Sequence, residues 1–220
     1  MKRIYRLTIT VLVFSLAFTS IVFSREARNR ISSMIDESSL LTDVQAEIKF
    51  GRDLAARILG NYSVLNDEKI NKYVNLVGAA VALYSGRPEI KYYFAVLNSK
   101  EINAFAAPGG YVFITNGALM AIENEAQLAA VLGHEIAHIE KKHVVKELKI
   151  KGEDVSAVGG IGSIIGGATG TLRVVLEQVL DNAANILLKR GYKINDEIEA
   201  DTVGLLMAYM AGYDPSALKD

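Results

Sequence analysis

The sequence predicts a mostly helical α+β domain with one short sheet, and three observations predict it. Apolar residues recur at helical spacing over 43–59, from about 66 to 81, and over 125–150, 172–189 and 195–210. Two short runs rich in β-branched and aromatic residues, 90–97 and 111–115, suit strands instead. Between them Pro108-Gly109-Gly110 supplies turn chemistry.

The elements follow in order. Lys2, Arg3 and Arg6 precede an apolar run from Leu7 to Phe23, the pattern of an export leader. Cleavage after Ser24 gives a signal peptide over 1–24; without cleavage the same run serves as a signal anchor at residues 7–23. Either way the rest of the chain is expected to be translocated. Residues 25–42 are polar and read as a linker. From Asp43, the residues Val44, Ile48, Leu54 and Ile58 fall on one helical face, and Gly60 stops the helix. The second helix carries Ile70, Tyr73, Val74, Val77 and Val81, and Ser85-Gly86-Arg87-Pro88 ends it. The run Tyr111-Val112-Phe113-Ile114-Thr115 is the strongest strand, closed by Asn116-Gly117. The long helical pattern over 125–150 opens with Asn124 and Gln127, which resemble a capping box. Glycines 159, 160, 162, 166, 167 and 170 then interrupt the pattern. That stretch reads as a mobile loop or lid near a cleft, or as a membrane hairpin packed through its Gly-x-x-x-Gly spacing. Gly191 and Gly212 bound the last helix.

Composition narrows the function. The chain has 220 residues, half of them hydrophobic, 24 basic and 25 acidic residues, and a formal net charge of −1. No basic excess calls for a nucleic-acid partner. There is no cysteine, hence no disulfide, no thiolate metal site and no lipid-anchored cysteine after the leader. Any metal must be held by His, Asp or Glu, and there are three His.

Two of these lie in His134-Glu135-Ile136-Ala137-His138. Residues four apart share a helix face, so both imidazoles can reach one metal ion. Glu135 projects beside them and can take a proton from water held there. Leu128, Val131, Leu132, Ile136 and Ile139 make this helix apolar, and unpaired histidines on a buried helix would be costly. A catalytic site needs a third protein ligand and an open position. His143, five residues after His138, would lie about 140° around a continuous helix and point away. A carboxylate is therefore expected, and Glu197-Ile198-Glu199-Ala200-Asp201 offers three on an otherwise apolar segment.

Several stretches taken together resemble the HtpX-like and CAAX-prenyl-endopeptidase family of zinc metallopeptidases, especially its exported bacterial branch. They are Asn103-Ala104-Phe105-Ala106-Ala107-Pro108-Gly109-Gly110-Tyr111, Gly117-Ala118-Leu119, Leu128 through His138, Lys142-His143, Glu197 through Asp201, Gly204, and Ala211-Gly212-Tyr213-Asp214-Pro215. The resemblance covers roughly 45–220. It implies a gluzincin-type fold with His134, His138 and Glu197 as ligands of one zinc ion, Glu135 as the catalytic base, and Asp201 orienting a ligand imidazole. Glu197 and Asp201 share a helix face, whereas Glu199 turns about 200° from Glu197, toward solvent or a basic neighbour. The resemblance also implies that the strand carrying Gly110, Tyr111, Val112 and Phe113 is an edge strand lining the cleft, able to pair with an extended peptide. Many relatives carry Ser-Arg where this chain has Lys193-Ile194. Exported relatives continue past the Gly-Tyr-Asp-Pro element, so the domain expected over 43–220 is either a fragment or a minimal form.

The function expected is peptide-bond hydrolysis on unfolded or misassembled envelope proteins, in the periplasm or at a membrane. The alternative is a non-catalytic envelope chaperone or scaffold that keeps zinc for stability. A membrane-embedded prenyl-protein protease would need several apolar spans of roughly 20 residues, and none follows residue 24.

Overall fold

A computed structural model describes residues 43–148 and 170–218, all within one compact unit, Asp43–Asp220. The expected leader, the linker and the glycine-rich stretch up to residue 169 lie outside the described residues. No described helix is long and apolar enough to cross a membrane.

Helix α1 runs over 43–61 and buries Val44, Phe50, Leu54, Ala55 and Ile58. It continues one residue beyond Gly60, and the Asn61 side chain closes it by donating to the Arg57 carbonyl at 3.2 Å. Helix α2, Glu68–Ala82, starts where the Asp67 side chain accepts from the Ile70 amide. Val74, Val77 and Val81 are buried on its inner face, while Tyr73 is largely exposed. Gly78 lies on that face because a Cβ there would come within 2.5 Å of the Phe94 ring.

Strands β1 (Tyr93–Leu97), β2 (Ala104–Ala107) and β3 (Tyr111–Thr115) form one sheet in the order β1-β3-β2. β1 is parallel to β3, with Tyr93 opposite Tyr111, and β2 is antiparallel to β3, with Phe105 opposite Phe113. The expectation of an edge strand at Gly110–Phe113 is therefore corrected: β3 is central, and both of its sides are already paired. Val112, Phe113 and Ile114 are all buried, as suits a strand covered on both faces. The outer side of β1 is occupied as well. The Val96 carbonyl accepts from Leu65, the Val96 amide donates to Asn71, and Asn75 donates to the Phe94 carbonyl. Gly109 and Gly110 take φ of 75° and 101° in the turn before β3. A Cβ on Gly110 would also stand 2.2 Å from the Lys91 carbonyl oxygen.

Asn116-Gly117 does more than close the strand. Thr115 accepts from the Ala118 amide and caps a short helix, α3, Asn116–Ala121. Helix α4, Glu125–Glu140, begins with Asn124 accepting from the Gln127 amide at 2.9 Å. Gln127 accepts from the Glu123 amide in return, one residue earlier than a capping box requires. The long helix expected over 125–150 is broken. Lys142 takes φ 57°, ψ 38°, and the chain restarts as α5, His143–Glu147. Helix α6, Gly170–Asn185, widens into a π-helical turn, Ile186–Arg190, that Gly191 ends at φ 70°. Helix α7, Ile194–Met210, completes the set before a 3₁₀ turn at Pro215–Leu218.

Among the described residues, two apolar clusters lie in the unit. One joins α2, α4 and α7 to Phe94, Val96, Val112 and Ile114 of the sheet. The other joins α1 and α6 to Phe105 and Phe113. Helices α4 and α7 meet backbone to backbone. A Cβ on Gly133 would lie 2.5 Å from the Gly204 carbonyl oxygen, and one on Gly204 would lie 2.4 Å from the His134 amide nitrogen. Gly204→Ala must therefore push the helices apart. We expect it to destabilise the fold by about 1–3 kcal/mol, the usual cost of overpacking, read as a lower denaturant midpoint.

Candidate metal centre

One face of α4 meets one face of α7 just beyond that glycine contact. Four-residue spacing puts His134 and His138 on the same side of α4, and their rings meet edge to face at 4.6 Å. Glu197, in the first turn of α7, reaches both. His134 Nε2 lies 2.9 Å from His138 Nε2 and 3.2 Å from Glu197 Oε2, and the third side of the triangle is 3.8 Å. Among the described residues these three form the group able to hold a metal ion. Ligand atoms about 2.0–2.1 Å from a tetrahedral ion stand roughly 3.3–3.4 Å apart, and the three edges bracket that spacing.

The electrostatics suit a cation. Burial, then the neighbouring His134 and His138's other neighbour His143, hold His138 far below the ordinary imidazole range, at about 2. It is thus neutral at any working pH, with a lone pair to offer. Burial pushes the Glu135 carboxyl up to about 8, with the Glu197 carboxylate adding to the effect. A buried carboxyl facing a second carboxylate is relieved by positive charge placed between them.

The ring nitrogens turned away from the triangle are also engaged. His134 Nδ1 lies 2.8 Å from Asp201 Oδ1. One helical turn separates Asp201 from Glu197, so α7 presents both toward His134, as their shared face predicts. His143 departs from expectation. It does not point away from His138: its Nδ1 lies 2.7 Å from His138 Nδ1, and it is buried. The left-handed turn at Lys142 is the reason, because it ends the continuous helix on which the 140° offset was reckoned. His143 Nε2 in turn lies 3.1 Å from Glu199 Oε2. Glu199 does face away from Glu197, and the basic neighbour it meets is His143. That hydrogen bond holds the Glu199 carboxyl below the usual range.

Tyr192 also belongs to the site. Its ring stacks on His138 at 4.1 Å and 15°, and its buried hydroxyl has no hydrogen-bond partner among the described residues. Burial, Glu135, Glu197 and Asp196 together raise its pKa well above the normal phenol value. Sequence spacing gives no sign of Tyr192, which follows Gly191 in the connection between α6 and α7. Of the residues expected to bind an extended peptide, Gly110–Phe113 lie in the turn and the central strand, whose hydrogen-bonding sides are taken.

Comparison with known proteins covers the region of this site. The model of peptidase family M48 matches residues 68–220. The chain is 26% identical over 184 residues to the beta-barrel assembly-enhancing protease of Escherichia coli K12, an alignment covering 78% of this chain and 36% of that protein. It is 31% identical over 147 residues to the mitochondrial metalloendopeptidase OMA1 of Schizosaccharomyces pombe, covering 67% of this chain and 41% of that one. The Arabidopsis thaliana mitochondrial metalloendopeptidase OMA1 is 30% identical over 152 residues, covering 69% and 29%. The chain thus spans little more than a third of the length of the bacterial relatives it matches.

Proposed function

The chain belongs to peptidase family M48, and from that membership we propose that it is a zinc-dependent endopeptidase in which His134, His138 and Glu197 hold the metal and Glu135 is the general base. The observation that carries this reading is the convergence of three ligand atoms, all within 4.8 Å of one another, beside the buried Glu135. A set of two imidazoles and one carboxylate is a zinc donor set that leaves a fourth position for water or substrate. Zinc held there would supply Lewis acidity, lowering the pKa of a water from 15.7 to about 7 and polarising the scissile carbonyl.

The chain's own residues do the rest. Glu135 accepts the proton of the attacking water at its carboxylate and returns it to the leaving amine. Asp201 accepts from His134 Nδ1–H and so keeps the Nε2 lone pair turned toward the metal. Tyr192 covers one face of the His138 ring and keeps water from it. An extended substrate has no free side of β3 to join. Among the described residues, β2 has no strand partner on its outer side, but Phe105, Ala106 and Ala107 are buried, so that strand offers no open edge either.

The substrates we propose are unfolded or misassembled envelope proteins, reached by export through the leader and met in the periplasm or at a membrane. Support comes from the leader pattern and from the similarity to beta-barrel assembly-enhancing proteases. A zinc-keeping scaffold has no use for a buried carboxyl beside the ligands, which favours hydrolysis over that second reading. The test is cleavage of unfolded casein by the purified chain. Cleavage should stop with a chelator and return with one equivalent of zinc. Cleavage indifferent to chelator, or no cleavage by protein carrying one zinc, would remove the proposal.

A further inference from the structure

We propose that His143 and Glu199 form a positioning relay that fixes the tautomer and orientation of His138; the inference rests on the reading of His138 as a metal ligand. His138 faces Glu197 and His134 through Nε2. If Nε2 gives its lone pair to a metal, the hydrogen of the neutral ring sits on Nδ1. That N–H is buried, and a buried donor left without an acceptor is destabilising. The group placed to accept it is His143 Nδ1, at 2.7 Å.

The consequence runs outward. His143 can accept at Nδ1 only if its own hydrogen is on Nε2. From there it donates to Glu199 Oε2 at 3.1 Å, with Asp196 Oδ1 at 4.0 Å as the next carboxylate. Glu199 accepts only, so it sets the direction of both hydrogen bonds. His134 is backed differently, by Asp201 directly. One helix, α7, thus provides a ligand and the carboxylates behind both ligand imidazoles. It reaches the second of them on its far side because the left-handed Lys142 brings His143 round to that side. The ring of Tyr192 stacked on His138 closes the remaining face.

The test is zinc affinity of the full chain by competition with a chromogenic chelator, alongside denaturant melts of the chelated protein. His143→Phe should weaken zinc binding by about 10–100-fold, the usual range for loss of a group behind a metal ligand. His143→Asn offers an amide oxygen to the same N–H and should recover most of that loss. On the exposed end of the relay, Glu199→Leu should weaken zinc binding and Glu199→Gln, which can still accept, should not; this pair stands even if His143→Phe fails to fold. Equal affinities in the Leu and Gln variants, or in the Phe and Asn variants, would overturn the relay. That failure is separate from failure of the metal site, in which the unsubstituted chain itself would not bind zinc.

Discussion

Glu135→Gln is expected to lower peptide hydrolysis by about 10²–10⁴-fold, the usual worth of a general base, with zinc content unchanged at one per chain. Gln is nearly isosteric with Glu, so the packing of α4 around this buried position is kept. What is lost is the ability to take a proton from water. Activity above about a tenth of the unsubstituted chain would remove Glu135 from its role. The same variant has a second readout, in stability. Burial and Glu197 raise the folded-state pKa of Glu135 to about 8 from the ordinary 4.5 of a free glutamate. Between those values the folded, metal-free protein holds a proton that the unfolded chain has released. Its stability therefore falls as pH rises from about 4.5 to 8, the opposite of the usual paired carboxylate. Chelated Glu135→Gln should lack this decline and melt higher than the chelated original at pH 8. Parallel stability–pH curves for the two proteins would contradict the buried, uncompensated environment.

Glu197→Ala is expected to lose both zinc and hydrolysis. The ligand triangle then keeps only the two imidazoles 2.9 Å apart, and two ligands do not hold zinc against competing buffer. Asp201→Ala should fall between this variant and the original, with affinity weakened by about 10–100-fold, because it leaves His134 in place but unbacked. Dialysed samples of each, read by metal analysis, decide the order. Full zinc in Glu197→Ala would remove it as the third ligand.

The centre was legible where local spacing alone fixes geometry. His134, Glu135 and His138 sit within little more than one turn of an apolar helix, and Glu197 and Asp201 within one turn of another, so helical period predicts which face each shares. The glycine contact joining those faces depends on tertiary packing, yet both glycines fell within the stretches that carried the family resemblance. His143 was misread because its position depends on one residue, Lys142, leaving the right-handed region, and a lysine gives no sign of that. The identity of β3 as a strand was legible, but its rank in the sheet was misjudged. Its consecutive buried residues Val112, Phe113 and Ile114 argue for a strand covered on both faces, whereas an edge strand beside a cleft shows alternation more often. Tyr192 was missed because a single aromatic after a helix-ending glycine has many uses, and only the fold shows that its ring lies on His138. Helix α3 was missed because Asn-Gly after a strand more often turns a hairpin; here Thr115 caps a helix instead.

The backbone contact of Gly133 with Gly204 bears on how the chain reaches its native state. The groups it brings together are far apart in sequence, His134 and Asp201 by 67 residues. Closing so long a loop is entropically slow, and contacts of this kind form late unless something rewards them early. An ion that binds both helices would act as a reversible cross-link, stabilising the closed loop in proportion to its free concentration. Refolding in the presence of metal should then be faster if the α4–α7 contact is already made in the transition state. If the contact forms afterwards, metal should change only the unfolding rate.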